Sequence, residues 1–312
     1  MARVVVAGGA GFLGSHLCER LVARGDDVVC VDDLSTGTEG NVAHLEASRR
    51  FSFVLADVSV QVPVDGRVDA VFHLASPASP PAYLARPLET LAAGSEGTRH
   101  LLELAQRSRA RCVLASTSEV YGDPEVHPQP EDYRGNVDPV GLRSVYDEAK
   151  RFAEALTMAA HRARGVDVGI ARIFNTYGPR LSPGDGRVVS NFCVQALRGD
   201  PLTVYGDGTQ TRSLCYVDDQ VDGLLALLDA PVTGPVNIGN PDERTVAELA
   251  SKVLTVTGSR SPVEHGPLPP GDPRRRCPDV ALARRLLGWE PKVSLDDGLA
   301  RTASWFRERL GT

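Results

Sequence analysis

Lysine is nearly missing from this chain: three residues of 312, at positions 150, 252 and 292, against 31 arginines. Positive charge is therefore supplied as arginine almost everywhere, and a retained lysine marks a place where arginine would not serve. Long hydrophobic runs are also missing. No stretch of about 18 apolar residues occurs, so no membrane-spanning helix is expected, and the strand-like run close behind Met1 carries the expectation of no signal peptide. A soluble, cytoplasmic protein is the expectation. Basic charge is not in excess either: the net charge is −6 and the pI about 5.7, which leaves no electrostatic footprint for nucleic acid beyond a local Arg274-Arg275-Arg276 run. The six cysteines (18, 30, 112, 193, 215 and 277) form no Cys-x-x-Cys and meet no paired histidine spacing. They predict free, buried thiols, with neither a disulfide framework nor a metal site. Internal repeats and low-complexity tracts are absent.

What is present begins at residue 3. Arg3 to Ala7 is a short β-branched run suited to a buried parallel strand, and it is followed by Gly8-Gly9-Ala10-Gly11-Phe12-Leu13-Gly14. The helical spacing of Leu13, Leu17 and Leu21 stops at Gly25. Glycines at 8, 11 and 14 permit a tight turn and let backbone amides approach a pyrophosphate on the helix N-terminus, with Phe12 and Leu13 in the same turn. A second strand, Val28 to Val31, ends at Asp32, which lies 18 residues beyond Gly14. That is near the ~20-residue offset at which a carboxylate binds the ribose hydroxyls of NAD. Asp32 would repel a 2′-phosphate, and Asp33-Leu34-Ser35-Thr36 adds a second negative charge without an arginine, so NAD is expected over NADP.

Further apolar runs follow. Phe51 to Leu55 precedes Asp57-Val58, suited to the adenine edge; Asp69 to Leu74 runs into Ala75; and Arg111 to Ser116 runs into Thr117-Ser118-Glu119. Strands alternating with helical stretches predict an α/β, Rossmann-type doubly wound parallel sheet with ligands at the carboxyl ends of its strands. Val166 to Arg172 is a sixth strand, Val217 to Ala230 a helix and Pro235 to Gly239 another strand. The first of the scarce lysines completes Tyr146-Asp147-Glu148-Ala149-Lys150, and residues four apart share a helix face. An ammonium beside a phenol favours the phenolate, which predicts a lowered pKa and makes Tyr146 a candidate general base.

The Gly-x-x-Gly-x-x-Gly, Thr-Ser-Glu-Val-Tyr-Gly and Tyr-x-x-x-Lys motifs, in this order, resemble the extended short-chain dehydrogenase/reductase superfamily. The stretches His73 to Pro81, Ala115 to Pro128, Ile173 to Arg180, Asp185 to Phe192 and Pro201 to Gly208 narrow the resemblance to the UDP-glucuronate decarboxylase (UDP-xylose synthase) family, across Arg3 to Gly298. The resemblance implies an NAD-binding domain of residues 1–176 with a returning segment 213–240, and a smaller nucleotide-sugar domain of 177–212 and 241–312. It implies NAD as cofactor, UDP-glucuronate as substrate, and a homodimer built on the helix near 90–107 and the Tyr146–Ala163 helix, with a stripe of Phe152, Leu156 and Ala159 or Ala160. Pro262 to Pro278 becomes a flap over the substrate.

The same resemblance assigns roles. Tyr146 takes the 4-hydroxyl proton, Lys150 keeps the phenol acidic and holds the nicotinamide ribose, and Thr117 holds the 4-oxygen. Ser118 stands where related dehydratases have the Asp that drives water loss, so dehydration is disfavoured. Glu119 is expected near the sugar carboxylate, where like-charge repulsion assists carbon dioxide loss, and Arg276 reaches the same end, with Arg274 and Arg275 leaving its register open. Asn175 and Arg212 correspond to diphosphate contacts. Arg187, Val189, Asn191 and Tyr205 frame the uridine, and Tyr83 lies near the sugar. At Gly94 the family usually carries Asn, a loss expected to cost activity or stability. Two rivals to decarboxylation are a UDP-glucuronate 4-epimerase, which more often has Ser or Thr at the position of Glu119, and a catalytically silent NAD-binding sensor, which retention of Tyr146 and Lys150 argues against.

Overall fold

A computed structural model describes residues 1–267 and 275–312. The first apolar run is strand β1 (Arg3–Ala7), and the glycine turn after it feeds helix α1 (Phe12–Arg24), which ends at Gly25 in the left-handed conformation. Then follow β2 (Asp27–Asp32), β3 (Phe51–Leu55), β4 (Ala70–His73), α2 (Pro80–Ala85), α3 (Pro87–Ala92), α4 (Thr98–Ser108), β5 (Arg111–Thr117), α5 (Ser144–Arg164) and β6 (Val168–Ile173). A π-helical turn, Ala93–Gly97, joins α3 to α4. Beyond them lie β7 (Thr176–Tyr177), α6 (Val188–Arg198), β8 (Leu202–Tyr205), β9 (Thr211–Ser213), β10 (Cys215–Tyr216), α7 (Val217–Asp229) and β11 (Pro235–Ile238). The chain closes with β12 (Glu243–Thr245), α8 (Val246–Thr257), β13 (Val263–Gly266), α9 (Ala281–Leu287) and α10 (Leu295–Leu310).

Seven strands form one sheet in the order β11-β6-β5-β4-β1-β2-β3, and every pairing in it is parallel. In β1, Val4 and Val6 pack with Leu17 and Leu21 of α1, while Val5 and Ala7 face Leu101 and Leu104 of α4. Both faces are covered, which is why the strand reads as a continuous apolar run rather than an alternation. Each fully buried leucine contributes roughly 1.5–3 kcal/mol. The order reverses between β1 and β4, and that switch point opens a crevice above the strand ends.

Several local expectations change. β6 begins at Val168 rather than Val166, and β4 spans Ala70–His73 rather than Asp69 to Leu74. Along α5, Leu156 and Ala160 pack inward on the sheet's own core, leaving Phe152 and Ala159 exposed, so the expected stripe is split. Part of the expected flap is regular: β13 pairs in parallel with β8, while residues 268–274, Arg274 among them, lie outside the described residues. Gly94 has a packing reason, because a Cβ there would stand 2.8 Å from both Cβ and O of Ala149, between Tyr146 and Lys150. The glycine lets the π-helical turn press directly on the helix that carries those two residues.

Candidate active site

The crevice is a cleft of about 1450 Å³, larger than the ~300–1,000 Å³ typical of a site for one small molecule. All the residues singled out above as cofactor, catalytic or substrate candidates line this one cleft. Gly8, Gly11, Phe12, Leu13 and Gly14 form its floor at one end. Gly8 has φ +79°, and a Cβ on it would lie 2.6 Å from the backbone nitrogen of Ala75, so only glycine keeps this floor open beside Leu74 and Ala75. Asp32 ends β2 nearly buried; its carboxylate accepts backbone hydrogen bonds from Ala10 (2.9 Å) and Leu34 (2.8 Å). Burial raises its pKa, and the two amides work against that. Thr36, Asp57 and Val58 complete the wall. A glycine turn without room for a Cβ at Gly8 or Gly14, followed 18 residues on by a carboxylate, fits a dinucleotide.

Tyr146 and Lys150 lie one turn apart on α5, both buried. The Lys150 ammonium donates to the carbonyl of Ala115 at the end of β5 (2.8 Å) and stands 5.8 Å from the centre of the Tyr146 ring. The phenol of Tyr146 stacks on Tyr83 with centroids 5.1 Å apart. The expected lowering of its pKa is not what the protein alone provides. Burial pushes the phenol well above its usual value, and the hydrogen bond with the Thr117 hydroxyl opposes this only in part. Burial likewise brings Lys150 down to about 8, against the pull of Glu154. A pair this desolvated needs a further positive charge in the cleft to stabilise the phenolate.

Glu119 has different surroundings from those expected. Its carboxylate is held on one oxygen by the Arg276 guanidinium and on the other by that of Arg143. Burial would raise its pKa, but the two guanidiniums outweigh it and the net shift is downward. The trio carries a net charge of +1, two arginines against one carboxylate. Of the two described arginines of that run, Arg276 is buried and lines the cleft while Arg275 is exposed. Arg143 was not visible in the sequence: it belongs to no motif, and only the start of α5 brings it opposite Glu119. Asp147 is also buried beside this trio; burial, then Glu119, raises its carboxyl to about 7.

The remaining candidates line the other end of the cleft: Asn175 after β6, Arg187, Val189 and Asn191 around the start of α6, Tyr205 on β8 and Arg212 on β9. Arg187 is paired with Asp185 (2.8 Å), and Asn191 donates to the carbonyl of Gly186 (3.0 Å). Ser118 is buried in the turn after β5.

Residues 4–239 match the model of the NAD dependent epimerase/dehydratase family. The chain belongs to that family. Within it, the chain is 51% identical over 308 residues to UDP-glucuronic acid decarboxylase 1 of Arabidopsis thaliana, covering 99% of this chain and 70% of the relative. It is 49% identical to UDP-glucuronic acid decarboxylase 1 of Danio rerio over 99% of this chain and 73% of that protein. Among solved structures it resembles UDP-glucuronic acid 4-epimerase from Bacillus cereus, in complex with UDP-glucuronic acid and NAD. That match has a TM-score of 0.88 and 29% identity, covering 98% of this chain and 99% of the other. As a member of the epimerase/dehydratase family it uses NAD, and the cleft residues above fit that cofactor.

Proposed function

We propose that this enzyme converts UDP-glucuronate to UDP-xylose and carbon dioxide. The observation that carries the reading is the Tyr146 phenol hydrogen-bonded to the Thr117 hydroxyl beside the net-positive trio of Glu119, Arg143 and Arg276, in a chain about half identical to UDP-glucuronic acid decarboxylases. Gly8, Gly11, Gly14 and Asp32 would hold NAD, which would supply reversible hydride transfer at sugar carbon 4. Tyr146 removes the proton of the 4-hydroxyl while Thr117 holds the same oxygen. With a ketone at carbon 4, the carboxylate on carbon 5 becomes that of a β-keto acid, whose carbon dioxide leaves as its electrons enter an enolate. The charge thereby moves from the carboxylate to the 4-oxygen, where the hydroxyls of Tyr146 and Thr117 donate to it, and carbon 5 then takes a proton from solvent to restore the ketone. Arg143 and Arg276 seat the carboxylate before it leaves, and Glu119 orients both guanidiniums. Arg212 and Asn175 take the diphosphate, Arg187, Val189, Asn191 and Tyr205 the uridine and its ribose, and Tyr83 the sugar.

Residues 1–176 with 213–240 serve as the NAD domain in this reading, and 177–212 with 241–312 as the sugar-nucleotide domain. A homodimer is supported by Leu88, Leu91 and Phe152, large apolar side chains exposed on the adjacent helices α3 and α5. Its six unpaired, buried cysteines suit a reducing, cytoplasmic compartment, and no helix among the described residues is long and apolar enough to cross a membrane. The test is product identification: UDP-xylose and carbon dioxide without net NADH. UDP-galacturonate without gas release would establish the epimerase instead.

A further inference from the structure

Outside the cleft, three side chains far apart in the sequence meet behind the segment that carries Arg276. They are His127, in the long connection between β5 and α5; Glu243, at the start of β12; and Cys277. The His127 Nε2 lies 3.0 Å from a Glu243 carboxylate oxygen, and the sulfur, nitrogen and oxygen atoms all fall within 4.8 Å of one another. None of the three lines the cleft.

The three are held from behind. Gln129 is fully buried; its side-chain oxygen accepts from the Cys277 amide (2.9 Å), its side-chain nitrogen donates to Val126 (2.9 Å), and its own amide donates to the Cys277 carbonyl (2.9 Å). The Thr211 hydroxyl donates to the other oxygen of Glu243. Asp242 and Asp279 join Glu243 in surrounding the thiol with negative charge. Imidazole, carboxylate and thiol in an anionic surrounding are a ligand set for a cation of intermediate softness, whereas calcium and magnesium take oxygen ligands.

We propose that His127, Glu243 and Cys277 bind one divalent transition-metal ion of zinc's class, with a fourth position open to water. Bond lengths of ~2.0 Å to nitrogen and ~2.3 Å to sulfur place tetrahedral ligand atoms about 3–4 Å apart, so the trio closes by about an ångström at its widest. Binding releases the thiol proton, and affinity rises with pH. The ion joins the connection before α5, strand β12 and the residue next to Arg276, three segments otherwise linked there by hydrogen bonds.

The full chain, stripped with chelator and free of added nucleotide, is titrated with cobalt(II) and then with zinc against a chromophoric chelator. One ion per chain is expected, with the thiolate-to-cobalt charge-transfer band and the intense visible bands of tetrahedral cobalt, all displaced by zinc and unaffected by excess magnesium. Cys277→Ser should remove the charge-transfer band and weaken zinc at least ~10-fold. His127→Gln, at an exposed position, should weaken zinc to a similar degree and covers the case in which the buried substitution disturbs folding. Absence of a stoichiometric ion, or a spectrum and affinity unchanged in both variants, overturns the proposal.

Discussion

Replacing Arg143 with Met tests the net-positive trio directly. Glu119 is mostly buried, with a side chain 14% exposed, and each oxygen is held by one guanidinium. Removing Arg143 leaves Glu119 paired with Arg276 alone and brings the trio from +1 to neutral, so a substrate carboxylate entering the seat meets no net attraction. At an effective dielectric of about 20, two unit charges 4 Å apart interact by ~4 kcal/mol. Solvent reaching this partly open cleft reduces that, and a loss of ~1.5–3 kcal/mol in carboxylate binding is the working magnitude. This corresponds to a roughly 10- to 100-fold weaker hold on UDP-glucuronate. The assay is binding of UDP-glucuronate against UDP-glucose, which has a hydroxymethyl group in place of the carboxylate, with NAD content measured in parallel. The variant should lose its preference for UDP-glucuronate while binding UDP-glucose and NAD much as before. Equal loss for both sugars would refute the seat and leave Arg143 as a support for the turn after β5.

Tyr146→Phe should lower turnover at least ~10²-fold with NAD retained, since it removes a positioned base and little volume; near-normal turnover in steady-state kinetics contradicts the role. Substrate deuterated at carbon 4 should keep its label, and reaction in heavy water should place one deuterium at carbon 5; washout from carbon 4 would mean the hydride is not returned. NAD should bind more tightly than NADP in calorimetry, because the carboxylates of Asp32 and Asp33 would repel a 2′-phosphate and Leu34–Asn41 contains no arginine to offset them. Finally, His73 is buried at the end of β4 and burial lowers its pKa to about 3, with Lys150 adding to the shift. Between pH 6.5 and 3 the unfolded chain takes up a proton at this histidine that the folded protein refuses, so stability falls as pH falls, by on the order of 4–5 kcal/mol over the window. Denaturation of His73→Asn across the same range should show a shallower loss, and an identical slope would remove His73 as the cause.

The sequence by itself determined the nucleotide-binding half, because each of its devices is local. A β-branched run, glycines where no Cβ fits, a helix and a carboxylate after the second strand follow one another within Arg3 to Asp32, and Tyr146 and Lys150 are separated by a single helical turn. Local spacing shows which residues share a face, and the structure places them so. Spacing does not show what a side chain meets across the fold. Arg143 opposite Glu119 depends on how the start of α5 docks against the turn after β5, and it adds a second guanidinium to the expected pair of Glu119 and Arg276. The Tyr146 pKa depends on how deeply α5 is buried, and that burial outweighs the hydrogen bond with Thr117. Leu156 and Ala160 face inward because the sheet lies on that side of α5, a direction that helical periodicity leaves undefined. His127, Glu243 and Cys277, more than a hundred residues apart from first to last, carry no metal-ligand spacing at all. Only the packing of three separate segments around Gln129 brings imidazole, carboxylate and thiol together, because charge and ligand geometry act through space while sequence records neighbours along the chain.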